Sequence, residues 1–288
     1  MSIVLTNCKS DTTSTIEDKI EDEIVETGEI VQDDYVAKSK FIFYNMYSPI
    51  EMAGIFNDAG AIYSPEILNP VQASENYVTS SKIAMNLGIY GVDLSYARMF
   101  DQMQVSIEYL ATIQQMAQRL GIPNDFVSFT AAKVEKYINN RDSIMQVATE
   151  AYANADLYLK SGKRENAAAL IVFGGWIESM YIAVSIFNPN DPDQAIMERI
   201  AEQKYSLNSL IVLLSNYQED LQVSEYLVLL RKLKRIFDKF EIYYEPGDFD
   251  IDTVNKVIAL NRNKINVSSQ QVGQISRIIN EIRDKIIE

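Results

Sequence analysis

Apolar residues return at helical spacing along most of the chain beyond residue 40, with polar residues on the opposite faces. Read together with capping residues, glycines and prolines, this spacing predicts α-helices over 49–59, 73–87, 93–120, 125–138, 141–161, 164–187, 192–217, 222–243, 253–266 and 269–287. No pair of segments is predicted to form strands. The predicted fold class is therefore all-α, a bundle-like domain of about nine helices.

The helix predicted over 93–120 shows this pattern most clearly. Asp93 caps it, after Gly88 has ended the preceding helix. Its apolar residues fall on one face: Tyr96, Phe100, Met103, Ile107, Leu110 and Ala117. The helix predicted over 222–243 carries a similar stripe: Tyr226, Leu229, Leu230, Leu233, Phe237 and Phe240. Both stripes are typical of helices packed nearly antiparallel in a bundle.

A short internal match leaves a second architecture open. Leu-Gly-Ile stands at 87–89 and again at 120–122, 33 residues later. That interval is the length of a helix-pair repeat, so the alternative to a bundle is a helix-pair solenoid.

The composition excludes several chemistries. The chain has no histidine and one cysteine, Cys8, which removes histidine-based nucleophilic catalysis, His- or Cys-ligated zinc and intrachain disulfides. No cofactor and no metal are predicted. Carboxylates, lysines and tyrosines remain for catalysis, but these residue types are too common to identify a site.

Negative charge is concentrated near the N-terminus. Residues 9–34 contain ten acids and two lysines, a net charge of −8, which leaves −6 of the total −14 for the rest of the chain. Such a segment is too charged to fold alone, although Ile16, Ile20 and Ile24 have helical spacing. An acidic chain without a large basic field is also not expected to bind nucleic acid.

The segment Leu5-Thr6-Asn7-Cys8 resembles the lipobox of bacterial lipoproteins, in which leucine and small residues precede a lipidated cysteine. It differs in having Asn7 where Gly or Ala is usual and in lacking a basic start, which suggests a shortened chain or a misplaced start. The following acidic run resembles the export signal of some Gram-negative surface lipoproteins. The resemblance implies lipidation of Cys8 and a location in the cell envelope, anchored to the outer membrane on its periplasmic or surface face.

The predicted organisation has three parts. Residues 1–8 are the remnant of a lipoprotein signal, residues 9–40 an acidic and largely disordered tether, and residues 41–288 a single all-helical domain.

The helix over 164–187 is almost wholly apolar and long enough to span a membrane. Glu178 near its centre favours a buried core helix instead, because a charge in lipid is costly. A stripe along this helix contains Ala167, Gly174, Glu178 and Ser185. Glycine here is expected to admit a neighbouring backbone, and Gly174, Glu178 and Ser185 are candidate ligand-binding residues. The alternative for Glu178, which we favour, is an ion pair with Lys or Arg of another helix.

Two further charged segments have simple interpretations. Asp248, Asp250 and Asp252 have the opening spacing of a calcium loop but lack its glycine and its final Glu, so we expect a solvated loop with Asp252 capping the next helix. A basic cluster lies on the polar side of helix 222–243: Arg231, Lys232, Lys234, Arg235 and Lys239. It is interpreted as a solvated helix face, with anionic headgroups or the acidic arm as alternative contacts.

Three functional hypotheses follow. The first is an envelope lipoprotein, bound to the membrane through a lipid anchor, whose helical domain binds a protein or a small molecule. The second is a histidine-free enzyme that uses carboxylates in a bundle cavity, and the third is a soluble intracellular helical scaffold. The first accounts best for Cys8 and the acidic segment.

Overall fold

The computed structural model describes residues 61–123, 158–159, 164–243, 249–252, 257–260 and 264–288. All of them belong to one compact unit. Two predicted helices, 49–59 and 125–138, lie outside these residues, as do Cys8 and the acidic segment. Of the helix predicted over 141–161, the structure describes residues 158–159.

The described part of the chain is mostly helical. Two 3₁₀-helices, Pro65–Ile67 and Val71–Asn76, precede the α-helices. Seven α-helices are described: α1 Ser80–Met99, α2 Met103–Arg119, α3 Glu165–Ile186, α4 Gln194–Glu202, α5 Lys204–Ser215, α6 Leu221–Phe237 and α7 Ser269–Ile287. The helical character of the prediction is confirmed.

Helix α3 lies at the centre of the packing. It contacts α1, α4, α5 and α7, and the residues from Ala167 to Glu178 are all buried. An 18-residue window within Asn166–Ile186 has a mean hydropathy of 1.7 and is 78% buried inside the protein. Its apolar surface on all sides is therefore explained by neighbouring helices, as expected of a core helix. Helices α3 and α7 are in contact although they are far apart in sequence. In a solenoid each repeat contacts only its neighbours, so these contacts do not fit that architecture.

Close packing of α1 on α3 depends on glycine. A Cβ added to Gly174 would lie 1.9 Å from the carbonyl oxygen of Met85, and one added to Gly88 would lie 2.1 Å from that of Ile171. The two backbones therefore touch, as the glycine at 174 predicted. Gly88 does not end a helix: it lies inside α1, where its missing side chain makes room for α3.

Several predicted helix boundaries were wrong for local reasons. Helix α1 begins later than 73, because Thr79 caps it by accepting a hydrogen bond from Lys82 N at 3.2 Å. It also runs past Asp93, which is a buried residue of the helix and not its cap. The predicted helix 93–120 is broken after Met99, where Asp101 adopts a positive φ of 55° before α2 begins.

The buried face of α2 also differs from the prediction. Met103 and Ile107 are 38% and 49% exposed. The buried residues of this helix are Ser106, Tyr109, Thr112, Met116 and Ala117. The break at Asp101 gives α2 its own orientation, so the apolar face of α1 does not continue along it.

The predicted helix 192–217 is two helices, α4 and α5, divided at Gln203. Asp193 caps α4 by accepting a hydrogen bond from Ile196 N at 3.0 Å. Helix α6 ends at Phe237, earlier than the predicted 243, and its apolar stripe through Phe240 is buried as predicted.

The prediction of helix over 253–266 was wrong. Strand β1 (Glu241–Tyr243) pairs with β4 (Lys264–Asn266), and β2 (Phe249–Asp252) pairs with β3 (Val257–Leu260), both antiparallel. The Phe-Asp-Ile-Asp sequence of β2 alternates apolar and acidic residues, and β3 begins with β-branched residues, both of which favour strands. Asp252 is therefore the end of a strand paired with Val257 and does not cap a helix.

The contact between α1 and α3 generates a stability prediction. Gly88→Ala should lower the free energy of unfolding by about 3 kcal/mol or more, because its methyl group meets a backbone carbonyl that no rotamer change can move. Gly91→Ala, one turn away in the same helix, has no atom within 4 Å of the added Cβ. It should raise the free energy of unfolding by about 0.5–1 kcal/mol through helix propensity. Urea denaturation of both variants measures the difference, and equal effects would contradict the close approach.

Candidate functional site

The most unusual chemistry of the described residues is a carboxylate inside the apolar core helix. Glu178 of α3 has 0% relative exposure. Its Oε2 accepts a hydrogen bond from Nε of Arg283 at 2.7 Å, and its Oε1 accepts one from Nη2 of the same residue at 2.9 Å. Arg283 comes from α7, so the expected ion pair with a cation of another helix is present.

Arg283 is itself almost fully enclosed, at 6% exposure. Nη2 also donates to the carbonyl oxygen of Ile67 at 3.1 Å, and the guanidinium lies 3.8 Å from the centre of the Tyr181 ring. Tyr181 follows Glu178 by three residues in α3 and thus lies on the same side of the helix. The cation is held by a carboxylate, a carbonyl and an aromatic face, and it joins α7 to α3 and to the first 3₁₀-helix.

A second buried carboxyl, Asp93 of α1, completes what we call the carboxyl–arginine cluster: Asp93, Glu178 and Arg283. Asp93 has 0% exposure, and its Oδ2 accepts a hydrogen bond from Asn69 N at 3.1 Å. Its Oδ1 receives no hydrogen bond. Two ionised carboxylates beside one guanidinium would leave an uncompensated buried charge, which is costly.

A proton on Asp93 resolves this imbalance. Burial raises the pKa of Asp93 well above its ordinary value, and the charge of Glu178 raises it further. Burial also raises the pKa of Glu178, but the hydrogen bonds and charge of Arg283 oppose that effect. The pKa of Asp93 is raised well above its ordinary value, whereas Arg283 limits the rise at Glu178, so Asp93 is the carboxyl expected to hold the proton.

Neutral polar residues surround the cluster. Asn69 donates through Nδ2 to Tyr77 Oη at 3.1 Å and to Asn86 Oδ1 at 3.2 Å, and its carbonyl accepts from Tyr109 Oη at 2.8 Å. Burial raises the pKa of both Tyr77 and Tyr109, so these phenols remain neutral donors. The network is shared among α1, α2 and the segment before α1.

The network also satisfies the end of α7. Its last carbonyl groups have no partners within the helix. Asn86 donates to the carbonyl of Ile286 at 3.1 Å, Tyr77 to that of Ile287 at 3.3 Å, and Lys82 to that of Lys285 at 2.7 Å. Side chains from other elements thus cap the C-terminal helix and hold it beside the cluster.

The candidate residues from the sequence occupy different surroundings. Glu178 belongs to the cluster, whereas Gly174 lies one turn away at the contact with Met85. Ser185 is exposed near the end of α3, two turns beyond Glu178. Cys8 lies outside the described residues. Ligand binding by Gly174, Glu178 and Ser185 remains a prediction.

The sequence pattern did not identify Arg283 as the partner or Asp93 as a core residue. Arg283 adjoins the buried stripe of α7, formed by Ile275, Ile279, Ile282 and Ile286. Asp93 likewise follows buried Tyr90 by three residues and precedes buried Ala97 by four. In each of these two helices, a charged residue occupies a position that the spacing of the apolar residues assigns to the core. This signal could have identified both residues.

The cluster has the ingredients of acid–base chemistry, since its two carboxyls differ in proton affinity. Both are fully buried, however, and each oxygen of Glu178 is occupied by Arg283. In this conformation the cluster orders the helices and offers no access to a substrate. A separate cavity of about 230 Å³ lies where α1 and α3 begin, and Ser80, Arg164 and Asn166 are among its lining residues.

The described residues contain no group of His, Cys, Asp or Glu side chains arranged to hold a metal ion. Comparison with protein-family models, curated proteins and solved structures gives no significant match to the chain.

Removing the carboxylate of the ion pair tests its contribution. Glu178→Gln should lower the free energy of unfolding by about 3–5 kcal/mol, because the buried Arg283 would lose the carboxylate that accepts two of its hydrogen bonds. The double variant Glu178→Gln, Arg283→Met should recover part of that loss, since no buried charge is left unpaired. Thermal or urea denaturation measures both. A Glu178→Gln variant as stable as the original protein would contradict the structural role.

The proton on Asp93 generates a pH prediction. A raised native pKa means that the proton stabilises the fold fully below the ordinary value of 3.8, and that this stability is lost as pH rises toward the native pKa. Asp93→Asn has no such proton to lose. We therefore compare the free energy of unfolding of Asp93→Asn with that of the original protein at each pH. The difference, variant minus original, should increase as the pH rises from acidic to mildly alkaline. Asp101→Asn, at an exposed turn position, is the control. A difference independent of pH for Asp93→Asn would refute the protonated state.

Proposed function

We propose that this protein is a lipid-anchored lipoprotein of the bacterial cell envelope, with a helical domain that binds a protein or a small molecule. The observation that carries the proposal is the order of the N-terminal segments. Leu5-Thr6-Asn7-Cys8 is followed directly by a segment of net charge −8. A lipid on Cys8 followed by a solvated acidic spacer gives this order a physical purpose, because the charged spacer remains in water beside the membrane.

The packing of α3 is compatible with an anchor of this kind. This helix meets the length and hydropathy of a membrane span but is 78% buried against other parts of the protein. The apolar surface of α3 is thus covered by other parts of the protein. Attachment through a lipid on Cys8 requires no described helix to leave the core.

Exposed apolar side chains of the domain would be available to a binding partner. Several large apolar side chains of the described residues face solvent, including Ile62 at 83%, Val78 at 78% and Leu221 at 83% exposure. The alternative of a carboxylate enzyme would need a route for substrate to Asp93 and Glu178, both of which have 0% exposure. Binding through the surface is therefore the better-supported role.

The anchor is tested by labelling with a fatty acid in a Gram-negative host, using the gene with its genomic upstream sequence. The original protein should incorporate label and sediment with membranes, whereas Cys8→Ala should do neither. Ser10→Ala changes a neighbouring residue and keeps the thiol, so it should be labelled like the original protein. Equal labelling of the Cys8→Ala variant, or none of the original protein, would refute the anchor and favour a soluble scaffold.

A further inference from the structure

Helix α6 has an exposed side that is apolar at its beginning and basic at its end. Leu221, Val228, Lys232 and Arg235 succeed one another at steps of seven, four and three residues, so they lie along one side of the helix. Leu221 and Val228 are 83% and 51% exposed, and both cations are also exposed. We call these four residues the α6 ridge.

Two more exposed cations, Arg231 and Lys239, flank the ridge. Among the described residues, none of these four cations forms an ion pair, whereas neighbouring Lys234 is neutralised by Asp238 at 2.7 Å. The exposed acids near the ridge are Glu225, between Leu221 and Val228, and Asp238, which follows α6 and pairs with Lys234. The end of α6 is therefore a local positive surface on a protein of net charge −14.

Favourable interaction of cations with the C-terminal end of a helix explains only part of this arrangement. That effect is confined to the last turn, where Lys234 and Arg235 lie. It gives no reason for Leu221 and Val228 to face water on the same line as Lys232. A surface that carries both charged and apolar groups in one stripe fits a partner that presents both anionic and apolar regions.

We infer that the α6 ridge docks on the anionic headgroups of a phospholipid bilayer. Lys232 and Arg235, with Arg231 and Lys239 beside them, contact the phosphates, and Leu221 and Val228 enter the boundary between headgroups and acyl chains. Anionic bilayers match the ridge in both respects, since their surface is negative and apolar groups lie just beneath it.

This inference rests on the proposed lipid anchor for its setting, because the anchor keeps the protein at a membrane where a weak second contact is effective. A single lipid chain gives only marginal attachment, and a basic patch is a common second signal. The ridge nevertheless has its own affinity for anionic bilayers, which is measurable without the anchor.

The test is flotation of the full chain carrying Cys8→Ser, which removes the anchor, with lipid vesicles. Binding should occur with vesicles that contain phosphatidylglycerol, weaken at high salt, and be absent with phosphatidylcholine alone. The variant Lys232→Glu, Arg235→Glu should reduce the partition coefficient about tenfold or more, since each cation near an anionic surface contributes about fivefold.

The matched control is Arg277→Glu, Lys285→Glu, which reverses two exposed cations of α7 and changes the net charge by the same amount. It should alter binding less than about twofold, the variation expected when only long-range attraction changes. Equal losses in the two variants, or no binding of the unsubstituted ridge to anionic vesicles, would overturn the inference. The second result would favour an acidic protein as the partner.

The two proposals fail separately. Fatty-acid labelling without any effect of the ridge substitutions on vesicle binding would leave the anchor and reject the ridge. Vesicle binding that depends on Lys232 and Arg235 in a protein that is never labelled would support the ridge and reject the anchor.

Discussion

The ion pair between Arg283 and Glu178 is the interaction on which the arrangement of the described helices depends. It joins the last helix to the central one, and Arg283 adds a hydrogen bond to Ile67 in the segment before α1. Both ions have lost their water, so the pair is favourable only while its geometry is kept. Asp93 brings a second carboxyl into the same space, and the resulting charge imbalance raises its pKa and favours a bound proton. The positions of α1, α3 and α7 are thereby tied to the protonation of one side chain.

The glycine contacts explain how the cluster is assembled. Gly174 lies one turn before Glu178 in α3, and Gly88 lies five residues before Asp93 in α1. Because the backbones touch at these glycines, the next turns of the two helices bring Glu178 and Asp93 together. A larger residue at either position would separate the helices and leave the two carboxyls apart. The close packing of α1 on α3 therefore also positions the two buried carboxyls.

The sequence predicted the features that depend on local pattern. The bounds of α3 and α7, the buried stripe of α6 and the close approach at Gly174 followed from periodicity and composition. What it could not supply was the pairing of distant residues, since Glu178 and Arg283 are separated by 105 positions. The break at Asp101 was missed because apolar spacing continues across it. The strands between 241 and 266 were missed because short apolar segments satisfy both helical and strand patterns.

The most direct test of this account is the protonation state of Asp93 at neutral pH. Infrared difference spectra between the original protein and Asp93→Asn in heavy water separate a protonated carboxyl from a carboxylate by their different stretching bands. With a proton on Asp93, the original protein should show a protonated carboxyl band that the variant lacks. A carboxylate band assigned to Asp93 in the folded protein would contradict it, because two buried anions would then share one guanidinium.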